Sequence, residues 1–329
     1  MLILLSRIYA AGVKRRNARF DSQRQPVVVV DVPVISVGNI SAGGTGKTPV
    51  VQGIVRILQR QGKRPAVVMR GYRRTSKGIV VVHNGLELCA TVEEAGDEAF
   101  LHAETLGVPV VVGEDKVEVA AYAAKNLPCD VIVVDDGFQH RALHRDFDIV
   151  LIDRATLNGM MIPRGRLREP LSEMRRADVV FCMGDVSPDE VSAFAREDAL
   201  ILPCEMQTEA PRSIVDSTDV LPHHANVLAV VGIAQPQRFI SALAERGHII
   251  VAQRLFRDHH RYTAADIASL IHVARASSAV IVTTEKDLVK LRTHMFVHGA
   301  LQVPMYVVSL YAHIHSEAFV ELLATRTTQ

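Results

Sequence analysis

Tryptophan is absent from the chain, and aromatic residues make up only 5% of its 329 residues. An excess of charge of one sign is also lacking, because 37 basic residues balance 36 acidic ones and leave a formal net charge of +1. Proteins that bind single-stranded nucleic acid rely on stacking aromatics in a basic groove. The composition therefore predicts a protein without a nucleic-acid partner.

Cysteine is scarce, and the four cysteines are scattered, with no Cys-x-x-Cys pair. This pattern disfavours a zinc site or a disulfide framework and fits a reducing compartment. No apolar run reaches the length of a transmembrane helix. Apolar residues nevertheless make up 48% of the chain, enough for the core of two domains or of one large α/β unit.

A glycine-rich turn at 41–46 stands between two segments of different periodicity. The segment 27–37 is mostly apolar and predicts a buried strand, whereas the apolar residues of 49–58 recur at helical spacing. A strand, a turn ending in Gly-Lys-Thr and a helix form the context of a phosphate-binding loop (P-loop). A chance Gly-Lys-Thr in a flexible loop is the alternative. The predicted nucleotide-binding residues are Ser41, Ala42, Gly43, Gly44, Thr45, Gly46, Lys47 and Thr48.

Roles within the P-loop follow from its chemistry. Lys47 would reach the β- and γ-phosphates, and Thr48 would place its hydroxyl on Mg²⁺. Ser41 stands where the full pattern has glycine, and the following glycine pair would supply the flexibility instead. Further on, four β-forming residues at 131–134 end at Asp135, which we expect to be the second Mg²⁺ ligand. The alternative is a buried strand followed by a polar turn.

Cationic and polar side chains follow other predicted strands, at the edge where open α/β sheets bind ligands. Arginines there would grip a phosphorylated substrate or stabilise transition-state charge. A solvated charged loop would have the same composition. The residues concerned are Arg70 and Tyr72 after the strand at 64–69, Asp136, Gln139 and His140 after the strand at 131–134, and Arg164, Arg166 and Arg168 in the loop 163–170.

Three further segments each permit two interpretations. Asp97 would either cap a helix at 98–106 or act as a carboxylate that orients or deprotonates a hydroxyl. The adjacent His259 and His260 are a weak metal signal, because neighbouring side chains point apart and no further ligand cluster appears. In the alternative interpretation, Asp258 or Thr263 simply caps the following helix. The segment 283–287, Thr-Thr-Glu-Lys-Asp, predicts either contact with a nucleotide base or a plain capped helix start.

The first 20 residues begin with the apolar run 1–5 and end in a basic cluster at 14–19. This arrangement suits a helix that lies in a membrane interface with its cations near lipid phosphates. A helix docked on its own protein, with its basic end in solvent, fits the sequence equally well.

The order of predicted elements indicates the α/β class. We expect a P-loop NTPase-like parallel sheet core, a second, smaller α/β lobe and an N-terminal amphipathic helix. The predicted boundaries are 1–20 for the membrane-interface helix, 21–207 for the P-loop core, 208–225 for a polar link and 226–329 for the C-terminal lobe.

Together these motifs resemble the tetraacyldisaccharide 4'-kinase family of lipid A biosynthesis. They extend from about residue 35 to about residue 290, and the combined match is highly specific. Ser41 in place of glycine is usual for this family. The matching motifs are Val37-Gly38-Asn39 with 41–49, Arg70-Gly71-Tyr72, Gly96-Asp97-Glu98, 135–141, 164–170, Asp258-His259-His260 and Thr284-Glu285-Lys286-Asp287.

The resemblance implies an enzyme that uses ATP and Mg²⁺ to phosphorylate the 4'-hydroxyl of tetraacyldisaccharide 1-phosphate, the lipid A disaccharide precursor. It implies that the enzyme acts at the cytoplasmic face of the inner membrane. It also implies two lobes that close over the nucleotide. It also implies a catalytic pair, Asp97 and His259, acting with Lys47; motif position alone favours His259 over its neighbour. The implied substrate-binding residues are Asn39, Arg70, Tyr72, Asp136, Gln139, His140, Arg164, Arg168 and Glu169.

Two other classes share the P-loop. A kinase for another sugar or small molecule, or a P-loop hydrolase with a GTPase-like base pocket at 284–287, would be distinguished by competition between ATP and GTP. A nucleotide-dependent switch would hydrolyse ATP slowly and would have no phosphate acceptor.

Overall fold

The computed structural model describes residues 1–297 and 300–327. Its α-helices are α1 (Leu2–Asp21), α2 (Lys47–Arg60), α3 (Val92–Ala95), α4 (Asp97–Leu106), α5 (Lys116–Asn126), α6 (Arg154–Leu157), α7 (Pro188–Ser192), α8 (Pro236–Glu245), α9 (Ala264–Ala276), α10 (Glu285–Met295) and α11 (Glu317–Arg326), and a 3₁₀ helix spans Leu171–Arg176. Its strands are β1 (Val34–Asn39), β2 (Pro65–Met69), β3 (Val80–His83), β4 (Val110–Val112), β5 (Val131–Asp135), β6 (Phe147–Ile152), β7 (Val179–Met183), β8 (Leu200–Thr208), β9 (Arg212–Ser213), β10 (Asn226–Val231), β11 (Ile249–Leu255), β12 (Val280–Thr284), β13 (Phe296–Val297), β14 (Ala300–Leu301), β15 (Met305–Val308) and β16 (Leu310–His313).

The larger sheet in the described residues has the strand order β16-β8-β7-β6-β1-β5-β2-β4-β3. Its pairs from β8 to β4 are parallel, and β3 is antiparallel to β4. In the central β1, Ile35 and Val37 pack in the core beneath α2, whereas Val34 packs in the core beneath α5. A strand covered on both faces must be apolar on both, which explains its continuous apolar run. The strand begins at Val34, after the exposed valines 27–29.

A second compact unit comprises Gln207–Tyr311, and the first comprises Met1–Met206 with Ala312–Gln329. The second unit's sheet has the order β11-β10-β12-β15-β9, with parallel pairs except between β15 and β9. One face buries Leu228 and Ile281 against Leu270 of α9 and Leu291 of α10. The predicted fold class, with a mostly parallel sheet, a second α/β unit and an N-terminal helix, is confirmed.

The domain boundaries differ from the prediction in two places. The segment 208–225, expected to be a link, contributes β9 to the second sheet. Helix α11, expected in the C-terminal lobe at 226–329, belongs to the first unit, where the Phe319 ring lies 5.2 Å from that of Phe181 and 6.5 Å from that of Phe147. Periodicity identified an amphipathic helix there but carries no information on which sheet it covers. Residues 298–299 and 328–329 of the predicted lobe lie outside the described residues.

Helix α1 has one docked side and one exposed side. Its Ser6 hydroxyl donates to the carbonyl of Met161, and Asn17 is buried. On the other side, Leu4 is 64% exposed and Ile8 is 60% exposed. Within residues 1–297 and 300–327, no helix combines the length and the apolarity needed to cross a membrane.

Candidate active site

The P-loop joins the end of β1 to the start of α2, as the sequence predicts. Gly46 is the N-cap of α2 and has a left-handed φ of 88°, and Gly43 has a φ of 119°. A Cβ on Gly46 would collide with the Met206 methyl group, and a Cβ on Gly43 would collide with the guanidinium of Arg166. Both conformation and space therefore require glycine at these two positions. Lys47 and Thr48 are the first two residues of α2, where the helix N-terminus favours an anion.

Asn39 and Ser41 brace the loop from within. The Nδ2 of Asn39 donates to Thr45 Oγ1 at 3.0 Å, and its Oδ1 lies 3.4 Å from Lys47 Nζ. The Ser41 hydroxyl lies 2.8 Å from that of Thr156, which is in turn hydrogen-bonded to Asp153. Asn39 is fully buried, and its amide group contacts the loop itself. Its contact with a substrate remains a prediction. Thr156 lies far along the chain and was missed by sequence reasoning.

Asp135 ends β5 with its carboxylate buried. Its Oδ2 lies 3.4 Å from Nε2 of the fully buried His102, and its Oδ1 has no hydrogen-bond partner within the described part of the chain. A buried carboxylate oxygen without a partner requires an explanation, and a cation supplies one. Carboxylate and hydroxyl oxygens suit Mg²⁺, which takes one or two carboxylates together with phosphates and water. Asp135 and Thr48 therefore fit the predicted ion.

Asp136 lies at the centre of three cations. Its Oδ1 is 3.4 Å from Lys47 Nζ, and its Oδ2 accepts from Arg168 at 2.9 Å. Burial alone would raise the pKa of Asp136, but the charges of Lys47, Arg168 and Lys116 outweigh it and hold that pKa well below its usual range. The carboxylate therefore stays ionised beside the P-loop lysine.

Lys116 is a site residue that sequence reasoning missed. It opens α5 after the N-cap Asp115, and its buried Nζ donates to the backbone carbonyls of Asp135, at 2.9 Å, and of Asp136. Burial lowers the pKa of Lys116, while the carboxylates of Asp136 and Asp135 oppose that shift. Lys116 follows the carboxyl end of β4, the edge of the sheet where ligands bind, and this position could have identified it as a site residue.

Gln139 and His140 leave the same strand end. The Nε2 of Gln139 donates to the Asn39 carbonyl at 2.8 Å and to Glu169 Oε2 at 3.2 Å. The Nε2 of His140 lies 3.5 Å from Asp115 Oδ1, and burial lowers the pKa of His140. The structure thus brings Asp136 and Gln139, from the end of β5, together with Arg168 and Glu169 of the loop 163–170 beside the P-loop.

Glu169 is 1% exposed, and its Oε2 accepts from Arg176 at 2.6 Å. This carboxylate is occupied by protein partners, and its predicted substrate contact remains a prediction. In the same loop, Arg166 donates to the Ala42 carbonyl at 2.7 Å, while Arg164 is exposed. The sequence shows that the loop is charged, but it does not show which of these side chains contacts the protein and which is exposed.

The loops that carry Arg70, Tyr72 and Asp97 pack against one another. A Cβ on Gly96 would lie 2.7 Å from the Tyr72 carbonyl oxygen. Arg70 is exposed and Tyr72 is 59% exposed. Gly96 is the N-cap of α4 and Asp97 its first residue, so the capping position falls one residue before the predicted one.

In the second unit, the two adjacent histidines have different neighbours. His260 Nε2 lies 3.1 Å from Asp266 Oδ2, within the capping box of α9, whereas His259 Nε2 lies 3.4 Å from Lys286 Nζ. Among the described residues, no cluster of three or more histidine, cysteine or acidic side chains is placed to hold a metal ion.

Asp287 lies in the first turn of α10, and its contacts fit the capped helix start, one of the two interpretations of this segment. Its fully buried carboxylate accepts from the Gly232 amide at 2.8 Å and from the Tyr262 hydroxyl at 3.1 Å, and the Thr284 hydroxyl accepts from its amide. Its oxygens are already used within the second unit, which disfavours the GTPase-like alternative.

The parallel sheet, the P-loop and the acidic end of β5 define a P-loop protein that binds a nucleotide. A model of the Tetraacyldisaccharide-1-P 4'-kinase family matches residues 1–328, and the chain belongs to this family. The Tetraacyldisaccharide 4'-kinase of an Anaeromyxobacter species is 40% identical over 88% of this chain and 82% of its own length. That of Koribacter versatilis is 38% identical over 93% and 92%. A crystal structure of LpxK from Aquifex aeolicus in complex with ATP superposes with a TM-score of 0.79 at 30% identity, covering 99% of this chain and 98% of that one.

Proposed function

We propose that the chain is an ATP-dependent lipid kinase that transfers the γ-phosphate to the 4'-hydroxyl of tetraacyldisaccharide 1-phosphate in lipid A biosynthesis. The observation that carries this proposal is the arrangement of Lys47, Asp135 and Asp136 at one P-loop in a chain that belongs to the family. Phosphoryl transfer requires alignment and charge neutralisation more than covalent help. The cations of the site would neutralise charge on the phosphates, and its carboxylates would hold those cations in position.

Each residue has a distinct task in this mechanism. The P-loop amides and Lys47 bind the β- and γ-phosphates, and Asp136 with Asn39 keeps the lysine ammonium directed at the loop. Thr48 and Asp135 would hold Mg²⁺, which supplies charge neutralisation at the phosphates when bound. Arg168 shares the carboxylate of Asp136 with Lys47 and would stabilise charge on the transferring group.

Asp97 would accept the proton of the sugar hydroxyl as its oxygen attacks the γ-phosphorus and the bond to ADP breaks. His259 remains the second catalytic residue that the family resemblance implies. Asp97 begins α4 beside the loop of Arg70 and Tyr72, two side chains exposed to an incoming acceptor. A general base of this kind contributes about 10²–10⁴-fold to the rate.

The lipid substrate gives a reason for the exposed side of α1. Its apolar residues, including Leu4 and Ile8, would enter the interface of the inner membrane at the cytoplasmic face, where the basic end of the helix meets anionic lipid. Docking of the opposite side on the protein keeps the helix beside the catalytic loops.

The test is transfer of label from γ-labelled ATP to detergent-dispersed tetraacyldisaccharide 1-phosphate. Lys47→Ala should abolish labelling, and Lys125→Ala, which removes an exposed lysine at the end of α5, should not. Hydrolysis of ATP without lipid labelling would contradict the proposal and favour the switch or another acceptor.

A further inference from the structure

Asn17 is the only buried residue of α1, a helix that lies wholly within the described part of the chain. It is 1% exposed, and its Nδ2 donates to Glu169 Oε1 at 3.0 Å and to Glu173 Oε2 at 2.7 Å. These two hydrogen bonds offset part of the cost of burying the amide, whose Oδ1 has no hydrogen-bond partner among the described residues. A helix held only by apolar contacts would not need this residue, so the contact fixes one defined position of α1.

Glu169 carries the contact toward the P-loop. Its other oxygen, Oε2, accepts from Gln139 Nε2 at 3.2 Å, and the same Gln139 nitrogen donates to the Asn39 carbonyl at 2.8 Å. Arg176 neutralises Glu169 from the far side and lies over the Phe138 ring, 4.2 Å from its centroid. The carboxylate therefore has little freedom to move independently of Asn17.

From Gln139 the chain of contacts continues through charged groups. Gln139 Oε1 accepts from Arg168 at 3.3 Å, Arg168 donates to Asp136 Oδ2 at 2.9 Å, and Asp136 Oδ1 lies 3.4 Å from Lys47 Nζ. No link from Asn17 to Lys47 exceeds 3.4 Å, and all lie within the first unit. Hydrogen bonds that run through a poorly solvated region reinforce one another more than isolated ones do.

We propose that Asn17 is a positioning residue: through Glu169, Gln139, Arg168 and Asp136 it sets the position of Lys47 for the nucleotide phosphates. The proposal rests on the proposed function only for the role of Lys47 in ATP binding. It assigns α1 a second task, because displacement of this helix changes the phosphate site through defined contacts.

The test is a double-mutant cycle on ATP affinity, measured on the full chain without any lipid acceptor. Asn17→Leu keeps a similar side-chain volume but cannot donate a hydrogen bond. Asp136→Asn changes the other end of the series of contacts that joins Asn17 to Lys47. Ser6→Ala is the matched control, because it removes a hydrogen bond between α1 and the loop at Met161 but leaves the contacts from Asn17 to Lys47 in place. The thermal midpoint of each variant reports whether it is folded, and Asn17→Ser replaces Asn17→Leu if the latter unfolds.

Groups that share one network do not act additively, whereas distant independent groups do. We expect Asn17→Leu to weaken ATP binding by about three- to tenfold, and Asn17→Leu/Asp136→Asn to differ from the product of the single effects by about threefold or more. Ser6→Ala should leave ATP affinity unchanged and combine additively with Asp136→Asn. Additive effects of Asn17→Leu and Asp136→Asn, or an Asn17 variant that behaves like Ser6→Ala, would overturn the inference. If the variants show the coupling but the wild-type protein does not label the lipid, the proposed function is contradicted and the inference stands.

Discussion

Ser41 and Thr156 lie side by side beneath the P-loop, with their hydroxyl oxygens 2.8 Å apart. Thr156 is 2% exposed, and its hydroxyl also donates to Asp153 Oδ1 at 2.6 Å, which joins the loop to the N-cap of α6. Asn39 contacts Ser41 from the other side at 3.4 Å. A serine at this position therefore gives the loop a fixed point where glycine would leave it free.

This contact predicts a loss of stability for Thr156→Val, which keeps the shape of the side chain and removes its hydroxyl. We expect the free energy of unfolding in denaturant to fall by about 1–3 kcal/mol, because Ser41 and Asp153 each lose a buried partner. ATP affinity should fall as well, since the loop is less well ordered. Thr105→Val, which removes a hydroxyl bonded within α4, is the control for stability alone. An unchanged ATP affinity in Thr156→Val would contradict the bracing role.

Asp97→Ala should lower the turnover of lipid phosphorylation by about 10²-fold or more, the contribution expected of a general base. ATP affinity should stay close to that of the wild type, because Asp97 belongs to α4 and not to the P-loop. The measurement is kcat for lipid labelling together with ATP binding at equilibrium. Glu93→Ala, an exposed acid in the first turn of α3, is the control. A defect confined to ATP affinity would count against the base role.

Lys116→Met should both destabilise the protein and impair phosphoryl transfer. The variant preserves most of the side-chain volume but leaves the carbonyls of Asp135 and Asp136 without their buried donor, at a cost of about 1–3 kcal/mol. It also removes one of the charges that depress the pKa of Asp136. Urea unfolding and lipid labelling measure the two effects, and the exposed Lys125→Met is the control. Wild-type turnover in Lys116→Met would limit Lys116 to a structural role.

Thiol reactivity should single out Cys89. This cysteine is exposed, whereas burial raises the pKa of Cys129 and of Cys182 to about 11 and that of Cys204 to about 12. A raised pKa means that less thiolate is present at neutral pH, and the thiolate is the reactive form. We expect native protein at pH 8 to release about one equivalent of chromophore rapidly with an aromatic disulfide reagent, and Cys89→Ser to release none in that phase. Fast reaction of a second thiol would contradict the burial of the other three.

The P-loop was predictable because its parts are contiguous in the chain. Gly46, Lys47 and Thr48 belong to one short segment that joins β1 to α2, so the strand, the turn and the helix start can be read together from the sequence. Asp135 and Asp136 were likewise predictable, since parallel strands bring their carboxyl ends to one edge of the sheet.

Residues that reach the site from other elements were not predictable. Lys116 and His102 approach Asp135 because β4, β2 and β5 are neighbours in the sheet, and strand order is not encoded in local pattern. Asn17 is polar within a helix that appears amphipathic from its sequence, and only its burial distinguishes it from the solvated residues around it. The destination of α11 was missed for the same reason, because periodicity identifies an apolar face but not what that face covers.

Binding to membranes should depend on the exposed apolar side of α1 rather than on its docked side. Leu4→Glu/Ile8→Glu places two charges where the side chains are more than half exposed, so the thermal midpoint should not change. Each lost apolar side chain removes about 1.5–3 kcal/mol of transfer free energy. Partition into vesicles that contain anionic lipid should therefore fall by at least about tenfold, as measured by sedimentation. Because the basic end of α1 is retained, the residual binding should weaken further as salt is raised. Unchanged sedimentation of Leu4→Glu/Ile8→Glu at low salt would show that this side of the helix does not enter the lipid.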